Sequence, residues 1–114
     1  MFFRRESPRQ LSFDEKITST KSYGFEATKA SGGIRISRKG LGAWVKEGPG
    51  GVPDAGEPGL LVGDYIAGLV DGGYQKFFLT QDNHKIPALA EHLKAIHAFQ
   101  EDLFEALGLT SIHR

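Results

Sequence analysis

The 114-residue chain contains no cysteine. Disulfides, thiolate nucleophiles, zinc ribbons and cysteine-held clusters are therefore excluded, and the usual cue to redox compartment goes with them. Long apolar runs are lacking too. The longest cover a few residues, against roughly 20 for a membrane-spanning helix, and the opening MFFRRES has no apolar stretch of the signal-peptide kind. The sequence thus reads as soluble and unprocessed, cytoplasmic by default and without a membrane partner. No Gly-Lys pair occurs, so the P-loop pattern GxxxxGK[ST] is nowhere matched. Net charge is also lacking, because 14 Lys and Arg balance 14 Asp and Glu.

That balance hides an asymmetry. Residues 1–47 hold ten Lys and Arg against five Asp and Glu, and residues 48–114 hold four against nine, so the halves carry +5 and −5. A basic half folding against an acidic half largely cancels the field; an anion-binding face on the first half is the sharper alternative. With 39% apolar content, the length predicts one domain over residues 1–114.

Along the chain, Ser12 and Glu15 have the S-x-x-E spacing of a capping box, which predicts a helix from about Ser12 to Tyr23 with Gly24 ending it. The period then changes to two. FEATKA and IRISRK, joined by SGG, and then AWVKE after GLG, predict an antiparallel meander. Its inner face carries Ile34, Ile36, Ala43 and Val45, and its outer face Arg35, Lys39, Trp44 and Lys46. GPGGVPDAGEPG, residues 48–59, has eight Gly or Pro in twelve positions and reads as an internal loop. Leu60 to Val62 suits a short strand. For residues 64–71 the apolar residues at i, i+1, i+4 and i+5 (Tyr65, Ile66, Leu69, Val70) favour a helix over a strand. YQKFFLT reads as a strand and QDNHK as a turn. Pro87 then stands near the start of a long helix ending at Leu107, with an apolar stripe of Leu89, Leu93, Ile96, Phe99, Leu103 and Leu107, closed by Gly108.

Glycine is abundant, 15 in all, and seven fall within GGIRISRKGLGAWVKEGPGG, residues 32–51, with four basic side chains and the only tryptophan. The stretch does not match a phosphate loop. GLGAWV supplies GxG at Gly40 and Gly42, but the third glycine is missing and the flanks are strands, so no helix start offers its N–H groups. Turns explain the glycines. The better candidate is the outer face of the meander, where Arg35, Lys39 and Lys46 beside Trp44 suit nucleic acid: cations for phosphates and an indole for an unpaired base. His97 and Glu101 stand at i, i+4 on the last helix, but His92 is five residues from His97 and completes no ligand pair, so no metal or other cofactor is expected. Ser31, Ser37 and Ser111 lack a context that would activate a nucleophile. Phe104 falls beside the helical stripe and, with Phe99, is a candidate partner seam.

SYGFEATKASGGIRISR, residues 22–38, resembles the helix, Gly-Phe and hairpin start of the small RNA-cleaving toxins of toxin–antitoxin pairs, whose folds look like double-stranded-RNA-binding domains. The resemblance implies RNA binding. Those toxins carry a histidine on the second strand, where this chain has GGIRISR, so cleavage does not transfer with it. A longer set of segments, MFFRRE, GFEATKASGGIRISR, LVDGGYQKFFLT and PALAEHLKAIHAFQEDLFEALGLTS, is similar to a family of small bacterial proteins with no assigned activity. That resemblance implies a single bacterial domain and transfers no catalytic residue.

The expected fold is α+β, a small antiparallel sheet packed against a long C-terminal helix, with a short N-terminal helix. The expected function is non-enzymatic binding of a protein partner or of a second copy. The alternative is nucleic-acid binding through Arg35, Lys39, Trp44 and Lys46.

Overall fold

The computed structural model describes residues 11–109. Arg4, Arg5, Arg9, Ser111, His113 and the opening MFFRRE therefore lie outside the described residues, as does the TS that ends the last resembling segment. The fold is α+β, and the described residues form a helix α1 (Phe13–Ser19), eight strands in one antiparallel sheet, and a helix α2 (Ala90–Ala106). The strands are β1 (Glu26–Ala30), β2 (Gly33–Arg38), β3 (Leu41–Glu47), β4 (Pro53–Ala55), β5 (Gly59–Val62), β6 (Tyr65–Asp71), β7 (Lys76–Leu79) and β8 (Lys85–Pro87). Their spatial order is β1-β2-β3-β5-β6-β7-β8, with β4 paired to β3 beside β5. No helix among the described residues is long and apolar enough to cross a membrane.

The start of α1 is written in its caps. Glu15 N–H donates to Ser12 Oγ at 3.2 Å, and Ser12 N–H donates to Glu15 Oε1 at 2.8 Å, so two otherwise unpaired donors are satisfied reciprocally. A 3-10 turn, Thr20–Tyr23, continues α1, and Gly24 ends it at φ +85°, a left-handed conformation that costs glycine little. Replacing Ser12 by alanine is expected to lower stability by about 1 kcal/mol, read as the shift in urea midpoint, with the amide of Glu15 losing protection from hydrogen exchange.

The register puts Ile34 opposite Val45 and Ile36 opposite Ala43. Leu60 stands opposite Ala67, and Leu69 opposite Phe78 and thence Ile86. These side chains form the inner face. From α2, Ile96, Phe99 and Leu103 meet them, with Leu107 just past its end, and Ile17 and Phe25 close one side. The Phe25 and Phe99 rings meet edge to face, centroids 5.1 Å apart.

Three expectations are corrected. Residues 64–71 are strand β6, not helix. Val62-Gly63-Asp64-Tyr65 is a tight hairpin turn, and both sheet faces are apolar here: Ala67 and Leu69 face the core while Ile66 and Val70 face outward, so the alternation that marks a half-buried strand is erased. Residues 48–59 are not a structureless loop. A five-residue turn is closed by Gly48 N–H to Val52 O at 2.7 Å, and β4 then returns along β3. The paired residue numbers of β3 and β4 sum to 100 (Val45 with Ala55) and those of β3 and β5 to 101 (Gly42 with Gly59), so one extra residue is accommodated at 56–58, a bulge in a single return strand. Finally, Pro87 closes the short edge strand β8, and α2 begins at Ala90. Proline is tolerated at an edge because no neighbour asks for its missing N–H.

Candidate functional site

On the outer face, Arg35 of β2 stands directly across from Trp44 of β3, and Lys46 stands across from Asp54 of β4. Ile66 occupies the centre. Its side chain lies over Gly42 and Gly59, so close that a Cβ at Gly42 would meet Ile66 Cδ1 and Cγ1 at 3.3 Å and one at Gly59 would meet Ile66 Cγ2 at 3.0 Å. These two glycines are themselves paired, Gly42 with Gly59. Their missing side chains let Ile66 sit down on the sheet in line with Trp44. Both Trp44 and Ile66 remain half-buried, and a groove of about 430 Å3 runs past the indole, lined by Gly32, Trp44, Lys46, Asp54 and Gly56.

The cations on this face are answered by carboxylates. Arg35 Nη1 donates to the Asp64 carbonyl at 3.3 Å and lies 3.5 Å from Asp64 Oδ1, tying β2 to the β5–β6 turn. Lys46 has Asp54 as its cross-strand neighbour. Lys39, expected on the same face, is placed elsewhere. It adopts φ +52° in the two-residue turn between β2 and β3, roughly 15–20 Å along the strand from Trp44 and Lys46 at about 3.3 Å per residue. Of the four residues expected together, Arg35, Trp44 and Lys46 share a face and Lys39 does not. Asp54, Asp64 and Ile66 are the members the sequence reading missed. A signal existed for Asp64, since Gly-Asp between two apolar runs is a two-residue hairpin turn.

The expected seam dissolves. Phe99 is 1% exposed, within the core, and so presents nothing to a partner; Leu103 and Leu107 are buried too, and Phe104 alone is half-buried. The reason is Arg38, which ends β2 and reaches over to α2. It donates to the Tyr23 carbonyl at 3.0 Å, pairs with Asp102 Oδ2 at 2.9 Å, and stacks 4.4 Å from the Phe25 ring centroid and 5.9 Å from that of Phe99. This clamp turns the aromatic end of the stripe inward.

Beside it, Tyr23 has its phenol held above the ordinary tyrosine range, first by partial burial and then by the negative charge of Glu105, which accepts from the phenol, and of Asp102. A raised phenol pKa means that the folded state keeps the proton longer than the unfolded one. This contribution to stability is complete below about pH 10 and is lost as pH rises through the folded-state value. Titrating phenolate absorbance is expected to show one component above the usual tyrosine value, which Glu105→Gln brings down.

His84, His92 and His97 stand apart from one another, on the β7–β8 turn and on α2. Among the described residues no three His, Asp or Glu side chains converge as metal ligands. His97 and Glu101 pair at 3.3 Å on the exposed face of α2. His84 pairs with Asp82 at 2.9 Å in the β7–β8 turn, where the Thr80 hydroxyl also donates to Asp82, and those hydrogen bonds, Thr80 foremost, hold the Asp82 carboxyl below its ordinary range. No family model, curated protein or solved structure matches the chain.

Proposed function

We propose that the protein is a non-enzymatic interaction module that docks a protein surface on the outer face of its sheet. One observation carries this reading: an apolar centre, Ile66 seated over two glycines with Trp44 on the same face of the sheet, is accompanied by charges of both signs, Arg35 with Asp64 and Lys46 across from Asp54. An apolar centre, an aromatic anchor and a rim of both signs make the anatomy of a protein interface. Nucleic acid needs a surplus of cations, and here Arg35 is paired with Asp64 and Lys46 has Asp54 across from it, which offsets part of the attraction to phosphate. The resemblance of the longer segments to a family of small bacterial proteins is the ground for a bacterial setting, and a cytoplasmic one is its default.

The test replaces Lys46 with a photo-crosslinking benzoylphenylalanine in the full chain, irradiates cells that express it, and repeats this with Trp44→Ala. Discrete protein adducts, either a dimer of the chain or a complex with another protein, that vanish with Trp44→Ala are expected. In parallel, Trp44 fluorescence is titrated with single-stranded and duplex RNA and DNA at low and moderate salt. Quenching that weakens with salt and with Arg35→Ala would replace this reading by the nucleic-acid one.

A further inference from the structure

We infer that a second site lies between the β2–β3 turn and the first turns of α2, and that it takes a small amphipathic carboxylate. The inference is independent of the Trp44 face. The cavity there has a volume of about 380 Å3, at the low end of the roughly 300–1,000 Å3 range of small-molecule sites. Leu41, Leu60 and Phe99 form an apolar floor between sheet and helix. On the α2 side the wall is Ala95 and Ala98, both exposed, whose single methyl groups leave the groove open where longer side chains would fill it.

The polar groups at this groove are all of one kind. Arg38, Lys39 and His92 line it, and no carboxylate does. Arg38 is already occupied by Asp102 and the Tyr23 carbonyl. Lys39 is exposed and has no acidic partner among the described residues, so its ammonium is available. For His92 the tautomer follows from one hydrogen bond. Leu89 N–H donates to His92 Nδ1 at 3.0 Å, so the neutral ring carries its proton on Nε2, and that N–H has no acceptor among the described residues. His92 is also the third residue of α2, at the helix end whose dipole favours negative charge. One ammonium and one imidazole N–H match the two oxygens of a monoanion, and the floor matches an apolar body. A bare inorganic anion leaves that floor unused, and an uncharged lipid leaves both donors unpaired.

The experiment records amide shifts of the full isotope-labelled chain against decanoate, kept below its micelle threshold, with decanol and acetate as body-only and head-only controls. Saturable shifts at Lys39, Gly40, Ala95 and Ala98 with decanoate are expected, with roughly tenfold weaker binding for decanol, the size of one hydrogen bond to a charged group. Lys39→Ala should weaken decanoate by a similar factor. His92→Glu is the decisive variant, because glutamate at the third helical position preserves the cap while opposing the anion; it should abolish binding with the thermal midpoint retained. Ala98→Leu should block the groove sterically. Decanol binding as tightly as decanoate, shifts confined to other residues, or no saturable shift would each overturn the assignment.

Discussion

Phe99→Ala is expected to be the most damaging substitution on α2, with a loss of about 3–5 kcal/mol, the usual cost of emptying an aromatic site in a packed core. The ring is 1% exposed, meets Phe25 edge to face, and forms part of the surface on which the Arg38 guanidinium rests. Deleting it therefore leaves a cavity and also loosens the Arg38–Asp102 pair, so the cost should stand at the upper end. In urea this corresponds to a fall of roughly 2–3 M in the unfolding midpoint at the slopes usual for small domains. Phe104→Ala, one helical position away from Leu103 and only half-buried, should cost about 1 kcal/mol. If both substitutions cost under 1 kcal/mol, the Phe25–Arg38–Phe99 stack is not the packing that joins sheet and helix.

The contrast between these two phenylalanines shows what was legible in the sequence and what was not. A 3.6 period finds the stripe, and helix ends are marked by residues whose chemistry is local: Gly108 beyond α2, and the Ser12 cap with Glu15 in the first turn of α1. It does not reveal which edge of the stripe is covered, because that depends on Arg38, distant in sequence and drawn inward by Asp102. Strands β2 and β3 were readable for the same local reason, alternating inward Ile34, Ile36, Ala43 and Val45 with outward Arg35 and Lys46, whereas β1, which brings only Ala27 inward, was marked by the turns on either side of it. β6 was not, because Ile66 and Val70 make its outer face apolar as well, and a strand apolar on both faces has the same pattern as a short buried helix. β4 was hidden by glycine and proline, residues that signal turns but that a bulged strand also uses. The candidate site shared this fate. Arg35, Trp44 and Lys46 follow from alternation within two strands, but Asp54 and Asp64, which balance the basic patch, and Ile66, which fills its centre, arrive on segments that the reading of 48–59 as a loop and 64–71 as a helix left unpaired.

That outer face depends on Gly59, and Gly59→Ala should cost about 3 kcal/mol or more, at or beyond the upper end of what overpacking usually costs. A Cβ there would strike the Ala67 backbone, with the carbonyl oxygen as the nearest atom and the carbonyl carbon at 3.0 Å, and would press on Ile66 Cγ2 as well. Backbone on the neighbouring strand cannot swing aside as a side chain can, so relief requires β5 and β6 to separate where Leu60 pairs with Ala67. Separation there opens the inner face at a fully buried alanine and displaces Ile66 from its seat over Gly42, two residues along β3 from Trp44. Gly68→Ala, on the adjacent strand, is the control. Nothing lies within 4 Å of a Cβ at Gly68, and its φ is not in the left-handed range, so the substitution should be neutral or add up to about 1 kcal/mol by restricting the unfolded chain. The pair is measured by urea unfolding together with Trp44 emission in the folded state. Gly59→Ala should shift the indole emission to the red as its apolar neighbour is lost, whereas Gly68→Ala should leave it unchanged; equal stabilities for the two variants would show that β5 and β6 do not pack as closely as the paired glycines and Ile66 require.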